Sequence, residues 1–159
     1  MTGQAQRDDQ ALIQRTIELS VRSRAQGNHP FAALIADADG AILVEAFNAS
    51  KLDCTGHAEL NAVREASSRY PRALLQQATL YTSAEPCAMC AGAIYWSGIS
   101  RVVYALSEAR LLALTGSHPE NPTLSLPCRE VFARGQRAIE VVGPMLEDEA
   151  AGAHAGFWR

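Results

Sequence analysis

The sequence lacks the long apolar run that a membrane-spanning helix requires. No stretch of its 159 residues approaches the roughly 18 consecutive apolar residues of such a helix. The opening segment, MTGQAQRDDQ, contains an acidic pair and no apolar stretch, so we expect no secretory signal. Both absences favour a cytoplasmic protein that has no membrane partner.

Basic residues are not in excess either. Lysine and arginine number 14 against 17 aspartates and glutamates, which gives a formal net charge of −3. This balance argues against a nucleic-acid partner, because phosphate backbones are bound by clustered lysine and arginine. The chain also lacks internal repeats, low-complexity tracts and linkers. With 48% hydrophobic residues in 159, it is expected to form a single domain, residues 1–159, around one core.

The hydrophobic pattern predicts alternating helices and strands. Residues 9–26 carry apolar side chains on one face of a helix, and the apolar runs 31–37 and 41–47 flank the turn Asp37-Ala38-Asp39-Gly40 as a hairpin. The remaining elements are predicted as helices at 57–69, 87–97, 111–115, 128–134 and 145–158 and as strands at 78–83, 101–106 and 138–142. This order favours an α/β fold, a three-layer α/β/α sandwich around a central mixed five-stranded sheet.

Two of the four cysteines have the spacing of metal ligands. Cys87 and Cys90 are three residues apart at the start of a predicted helix, so their thiols share one face. The positive end of a helix dipole lowers thiol pKa values and favours thiolates. Together with the imidazole of His57, they supply three ligands to a tetrahedral Zn²⁺. The fourth position is then open to water, as is typical of catalytic zinc, and we expect one zinc per chain.

A carboxylate follows the histidine ligand at a distance of two residues. Glu59 lies in the first turn of a predicted helix, where it can take a proton from the metal's water and give it to a leaving nitrogen. His-x-Glu followed by Pro-Cys-x-x-Cys is the signature of zinc nucleobase deaminases, and it stands here at 57–59 and 86–90. The alternatives are a thioredoxin-like cysteine pair, a structural histidine and a solvated glutamate.

The similarity to known deaminases extends beyond this signature. The segments GHAELNAVREA (56–66) and TLYTSAEPCAMCAGAIYWSGISRVVYAL (79–106) resemble the cytidine deaminase-like superfamily, and within it the small bacterial guanine deaminases and related nucleobase deaminases. The segment 29–48 resembles the first hairpin of that family. The resemblance implies that Asn48 holds the base, with Ala58 as a further substrate contact. It also implies a homodimer that pairs across the zinc-bearing helices, where small residues permit close approach: Ala88, Ala91, Gly92 and Ala93.

Further substrate contacts are implied by the same resemblance. C-terminal aromatic residues cap the pocket in related deaminases, which implies that role for Phe157 and Trp158; alternatively, these two pack the last helix onto the sheet. Guanine deaminases of the family also place a second carboxylate after the zinc signature. No aspartate lies between residues 91 and 129, and of the glutamates there, Glu120 is better placed than Glu108. The alternatives are an exposed loop residue for Glu120 and a turn residue for Asn48.

The remaining cysteines and histidines are expected to have no chemical role. Cys54 is expected to be a loop or cavity-lining residue, because as a fourth ligand it would close the catalytic position. Cys128 is expected to be small and buried. Three histidines are expected at the surface or in turns: His29, His118 and His154.

The sequence therefore favours a zinc-dependent hydrolytic deaminase of a free heterocyclic base, which releases ammonia. Guanine or a related aminopurine is the first candidate, and cytosine-like, triazine or pterin bases are alternatives. A tRNA adenosine deaminase is a further alternative, but it would need a basic surface for RNA, and the final segment carries the acidic run 147–149. A non-catalytic zinc or redox module is the last alternative, and it would not need Glu59.

Overall fold

The computed structural model describes residues 7–159 of the chain. Its helices are α1 (Asp9–Ala25), α2 (Ala58–Arg69), α3 (Arg72–Leu75), α4 (Ala88–Ser97), α5 (Glu108–Thr115), α6 (Cys128–Ala133) and α7 (Glu147–Gly152). Its strands are β1 (Ala32–Ala36), β2 (Ile42–Phe47), β3 (Thr79–Ala84), β4 (Arg101–Leu106) and β5 (Glu140–Val142). The alternation of helices and strands confirms the predicted α/β class.

The five strands form one mixed sheet in the order β2-β1-β3-β4-β5. β1 pairs antiparallel with β2 and β3, whereas β3, β4 and β5 run parallel. The β1–β2 hairpin turns at Asp37, whose Oδ1 accepts hydrogen bonds from the backbone N–H groups of Asp39 and Ala41, each at 2.9 Å. Gly40 completes the turn with a φ of +89°, which glycine adopts without strain. The predicted hairpin and turn are confirmed.

Helices cover both faces of the sheet. Successive strand residues point to opposite faces, so Ala33 and Ile35 of β1 pack in the cluster formed with α2, α4 and α6, whereas Leu34 packs in the cluster formed with α1 and α7. β1 and β3 are buried along their whole length, as central strands covered on both faces must be. The predicted three-layer α/β/α sandwich is confirmed.

An ion pair anchors α1 to the parallel part of the sheet. Arg101 of β4 donates to the two carboxylate oxygens of Asp9 at 2.8 and 2.6 Å, and the Tyr81 hydroxyl of β3 donates to Asp9 at 2.6 Å. The hydrogen bond from Arg101 lowers the pKa of Asp9 below its usual value. Arg101 also donates to Glu140 of β5 at 3.0 Å. One guanidinium group therefore joins the first helix to neighbouring strands.

The structure differs from the predicted elements mainly near the chain end. The helix predicted at 145–158 is confined to α7, Glu147–Gly152, and turns follow it. Gly156 has a φ of +69°, which an α-helix cannot contain. The prediction also missed α3, a single turn that follows Pro71. Among the helices within residues 7–159, none is long and apolar enough to cross a membrane.

Candidate active site

Two helices begin at the candidate metal ligands. His57 is the N-cap of α2 and Cys87 is the N-cap of α4, both in extended conformation, and Cys90 lies in the first turn of α4. Because α2 and α4 pack against each other, the three side chains converge. Nδ1 of His57 lies 3.5 Å from Sγ of Cys87 and 3.6 Å from Sγ of Cys90.

These three side chains have the separations of a tetrahedral zinc site. With Zn–N near 2.1 Å and Zn–S near 2.3 Å, tetrahedral angles place nitrogen and sulfur ligands about 3.6 Å apart. The two His57–cysteine distances match this value, and all three ligand atoms lie within 4.8 Å of one another. Within the described chain, Cys54 is exposed and stands outside the group. The residues present therefore fit a three-ligand zinc centre with one open position.

The electrostatics of the cluster favour a thiolate. A hydrogen bond from the Cys90 thiol, supported by one from His57, lowers the pKa of Cys87 to about 4. The interaction with Cys87 and burial both raise the pKa of Cys90. The hydrogen bond to Cys87 raises the pKa of His57, although burial acts in the opposite direction. Cys90 therefore retains a proton that a metal ion would displace on binding.

Glu59 lies in the first turn of α2, with 6% of its surface exposed. Burial raises the pKa of its carboxyl group, and a hydrogen bond from Thr82 acts in the opposite direction. Oγ1 of Thr82 lies 2.6 Å from Oε1 of Glu59 and 2.7 Å from the carbonyl oxygen of Ala84. A hydroxyl group both donates and accepts, so it can donate to ionised Glu59, or accept from protonated Glu59 while donating to Ala84. Glu59 thus keeps a hydrogen bond in either protonation state.

A cavity of about 380 Å³ opens beside this cluster. Its volume falls in the range of small-molecule sites. The site residues that sequence analysis proposed and that line it are His57, Cys87, Glu59, Asn48, Ala58 and Glu120. The structure therefore brings the candidate metal ligands, the candidate proton carrier and three of the candidate substrate contacts to one place.

Four acidic side chains line this cavity. Besides Glu59, they belong to Glu85, Glu108 and Glu120. Glu85 accepts hydrogen bonds from the backbone N–H groups of Glu108 and Cys128, each at 3.1 Å, and so fixes the starts of α5 and α6 beside the cavity. Burial and the nearby Glu85 raise the pKa of Glu108. Glu108 therefore joins Glu120 as a candidate for the second carboxylate.

Asn48 follows β2 and has only 3% of its surface exposed. Its Oδ1 accepts hydrogen bonds from the backbone N–H of Ser50 at 3.0 Å and from the Ser50 hydroxyl at 2.8 Å. Oγ of Ser50 lies 3.5 Å from Nδ1 of His29, and Nε2 of His29 lies 3.4 Å from a carboxylate oxygen of Glu120. All four side chains line the cavity.

The two C-terminal aromatic residues lie behind the cavity wall. Within residues 7–159, the cavity lining contains neither Phe157 nor Trp158. Their rings instead lie 5.6 and 5.1 Å from the ring of His29, which does line the cavity. In this arrangement they support a wall residue and do not touch the cavity themselves. Trp158 Nε1 also donates to Nδ1 of His154 at 2.9 Å.

This packing buries two histidines that were expected at the surface or in turns. His154 does lie in a turn and His29 in the connection before β1, but they are only 4% and 6% exposed. The aromatic residues at the chain end cover both rings. His118 is partly exposed, and the burial of Cys128 is confirmed.

Sequence analysis missed several polar residues of the cavity region. Glu85 directly precedes the Pro-Cys motif, so its position was available as a signal. Ser50 follows Asn48 by two residues, the spacing at which an asparagine side chain bonds a backbone N–H. Thr82 meets Glu59 only because β3 packs against α2, and no local pattern reports that contact.

Comparison with known proteins agrees with this geometry. Residues 6–106 match the family described as the cytidine and deoxycytidylate deaminase zinc-binding region. The chain belongs to this family. It is thus a member of a zinc-binding deaminase family, whose enzymes act hydrolytically on C–N bonds.

Relatives within and around the family differ in substrate. A probable cytosine deaminase of Schizosaccharomyces pombe is 42% identical over 151 residues, which cover 94% of this chain and 92% of that protein. A tRNA-specific adenosine deaminase of Haemophilus influenzae is 35% identical over 108 residues, 67% of this chain and 62% of that protein. The structure of guanine deaminase from Nitrosomonas europaea has a TM-score of 0.73 and 27% identity, covering 93% of this chain and 83% of that one.

Proposed function

We propose that this chain is a zinc-dependent hydrolytic deaminase of a free amino-heterocyclic base, and that guanine or a related aminopurine is its preferred substrate. The observation that carries the proposal is one cavity, lined by the buried Glu59 and three further carboxylates, that opens beside a group of three metal-ligand side chains. A structural zinc site or a redox cysteine pair would have no use for the buried Glu59.

One zinc ion per chain would be held by His57, Cys87 and Cys90. The match between their separations and a tetrahedral site supports this assignment. When bound, the zinc would supply an activated water to the carbon that bears the amino group. The chain would position the base and move the protons.

Glu59 is proposed to carry those protons. In the ionised state, Oε1 of Glu59 accepts a hydrogen bond from the Thr82 hydroxyl. Once the Glu59 carboxyl is protonated, it can donate its own proton in a hydrogen bond to the base nitrogen or to the Thr82 oxygen. Thr82 then donates to the Ala84 carbonyl. This arrangement lets Glu59 take up a proton and release it to the leaving nitrogen without leaving a buried polar atom unpaired.

The charge of the cavity supports a free base as substrate. The carboxylates of Glu85, Glu108 and Glu120 line the cavity; they would repel a phosphate group, and they can accept hydrogen bonds from ring N–H and amino groups. Guanine presents several such donors. Nucleotides and tRNA carry phosphates, so the likeness to tRNA-specific adenosine deaminases extends, in this proposal, to the chemistry of the centre and not to the substrate.

A cytosine-like base is the second candidate. The observation that favours it is the probable cytosine deaminase of Schizosaccharomyces pombe, to which this chain is similar over almost its whole length. The likeness to guanine deaminase covers a similar share of the chain, at lower identity. We propose guanine first because the segment 79–106, which contains Tyr95 and Trp96, resembles the small bacterial guanine deaminases.

A panel of substrates tests this proposal. The protein is purified without added zinc, its metal content is measured, and ammonia release is followed with guanine, other aminopurines, cytosine, a pterin, an aminotriazine, a nucleotide and a tRNA anticodon stem-loop. We expect turnover of a free base and none of the nucleotide or stem-loop. Turnover of the stem-loop with no activity on any free base would overturn the proposal, and a higher kcat/KM for cytosine than for guanine would reverse the order of candidates.

The second carboxylate is tested by a matched pair of substitutions. Glu120→Gln and Glu108→Gln each remove one charge from the cavity wall and leave the zinc ligands in place. We expect Glu120→Gln to lower kcat/KM while zinc stays bound, because its carboxylate is proposed to accept hydrogen bonds from the purine. If only Glu108→Gln has this effect, the role passes to Glu108.

A further inference from the structure

The Asn48 amide is fixed in one orientation by Ser50. The backbone N–H of Ser50 can only donate, so the atom of Asn48 that lies 3.0 Å from it must be the acceptor, Oδ1. The Ser50 hydroxyl donates to the same oxygen at 2.8 Å. Two donors therefore occupy the carbonyl end of this side chain, and a flipped amide would set an N–H group against a backbone N–H.

The other end of the amide is left for the cavity. Within residues 7–159, Nδ2 of Asn48 donates to no protein acceptor, although the residue is 3% exposed and lines the cavity. Nδ2 is not among the buried polar atoms that lack a partner in this part of the chain, so it is open to the cavity. A bound molecule that closed off this point would have to present an acceptor, because the nitrogen would otherwise be buried without a partner.

We propose that Ser50 is a positioning residue that turns Nδ2 of Asn48 toward the cavity, so that the substrate must present a hydrogen-bond acceptor to Asn48. This inference rests on the proposed function and narrows its substrate class. The base would carry a carbonyl oxygen or an unprotonated ring nitrogen on the edge that faces Asn48. It would carry N–H groups on the edge that faces the carboxylates of Glu108 and Glu120. Guanine and cytosine both offer these two kinds of edge.

His29 supports the arrangement from behind. Its Nδ1 lies 3.5 Å from the Ser50 hydroxyl oxygen, and its ring is held by Phe157 and Trp158. The C-terminal aromatic residues thus contact His29, which lies beside Ser50, and Ser50 in turn contacts Asn48. This gives the chain end an indirect part in shaping the cavity.

A double-mutant cycle tests whether Ser50 acts through Asn48. Ser50→Ala is expected to raise KM by about 5- to 30-fold, the effect of losing one or two hydrogen bonds, and to change kcat by less than about threefold. Ser50→Thr keeps the hydroxyl and should restore most of the loss. In the Asn48→Ala background, Ser50→Ala should change KM by less than about twofold, because its target is gone. The exposed Ser68→Ala on α2 is the matched control, expected to behave like the parent.

The polarity of the contact is tested by Asn48→Asp. The aspartate would present an acceptor oxygen to the cavity in place of the Nδ2 donor. If the substrate also presents an acceptor there, Asn48→Asp should raise KM more than Asn48→Ala does. Equal or tighter binding by Asn48→Asp, or effects of Ser50→Ala and Asn48→Ala that simply add, would overturn the inference.

A spectroscopic measurement separates this inference from the proposed function. If the parent protein turns over no base, the proposed function fails, but the Asn48 carboxamide carbon can still be followed by NMR in asparagine-labelled protein. Its resonance is assigned by its loss in Asn48→Ala. Ser50→Ala should shift it upfield, because Oδ1 loses the hydrogen bond from the hydroxyl and keeps only the one from the backbone N–H. An unchanged resonance would show that the Ser50 hydroxyl does not hold the amide.

Discussion

Substitution of Glu59 by glutamine removes the ability of one buried group to carry a proton and changes little else. The side chain is 6% exposed, and its Oε1 accepts the Thr82 hydroxyl at 2.6 Å. Glutamine has nearly the same shape, and its amide oxygen can accept the same hydrogen bond. Because burial raises the pKa of the Glu59 carboxyl, the native site already disfavours the charge. We therefore expect Glu59→Gln to fold with an unfolding midpoint equal to or above that of the parent.

The expected loss of activity is large. General acid–base groups contribute about 10²- to 10⁴-fold to turnover, which corresponds to about 3–5.5 kcal/mol of activation free energy at 1.36 kcal/mol per factor of ten. The assay is ammonia release at saturating base, with zinc per chain measured on the same preparation. We expect kcat to fall by that factor while zinc content stays at that of the parent.

Two outcomes would refute the reasoning about Glu59. A kcat within about tenfold of the parent, with full zinc content, would contradict a proton-carrying role. Loss of zinc would show that Glu59 is a metal ligand, contrary to its assignment. Thr82→Val removes the hydroxyl beside Glu59 and leaves the carboxylate in place. It therefore separates the contribution of this hydrogen bond to activity from any effect on the stability of the fold.

Other expectations concern metal, assembly and pH. Cys90→Ala should lose zinc and activity together while Cys54→Ala keeps both, and a fully metallated Cys90→Ala protein would contradict the ligand set. Sedimentation should show a dimer at micromolar concentration. Trp96→Glu should shift the protein toward monomer, because Trp96 and Met89 on α4 are 76% and 37% exposed and are available to a partner. A monomeric parent would be evidence against pairing through this helix. Burial, with a smaller effect of Arg24, lowers the pKa of His154 to about 4, below the value of about 6.5 in the unfolded chain. The unfolded chain therefore binds the extra proton first, and the free energy of unfolding falls as the pH drops from about 6.5 to 4. This single group should cost about 2 kcal/mol of unfolding free energy between pH 7 and 5, and urea titrations at both values should show a smaller difference for His154→Gln.

The sequence was sufficient wherever the determining interactions are local. The turn at 37–40 was predicted because Asp37 and Gly40 carry their own geometry, and the starts of α2 and α4 lie within one residue of the predicted positions. The interpretation of the ligand spacing depended on the same local regularity: Cys87 and Cys90 are one turn apart on any helix.

Local patterns failed where distant segments meet. His29 was expected at the surface or in a turn, and its burial depends on Trp158, 129 residues away in the chain. The helix predicted to run to residue 158 ends at Gly152, since the last turns bend the chain so that its aromatic rings cover His29 and His154. The small residues of α4 were likewise expected to permit close approach of a partner helix, but Ala91 is fully buried in the protein's own core. The exposed side chains of this helix are those of Met89 and Trp96.

The ion pair between Asp9 and Arg101 has a consequence for the rate at which the fold opens. Its members are 92 residues apart, and closing so long a segment costs conformational entropy, so we expect the pair to form late in folding. Contacts that form after the folding transition state slow unfolding and leave the folding rate nearly unchanged. Asp9→Asn should therefore speed unfolding in stopped-flow experiments far more than it slows refolding. The attachment of the first helix by this ion pair would then determine the lifetime of the folded state.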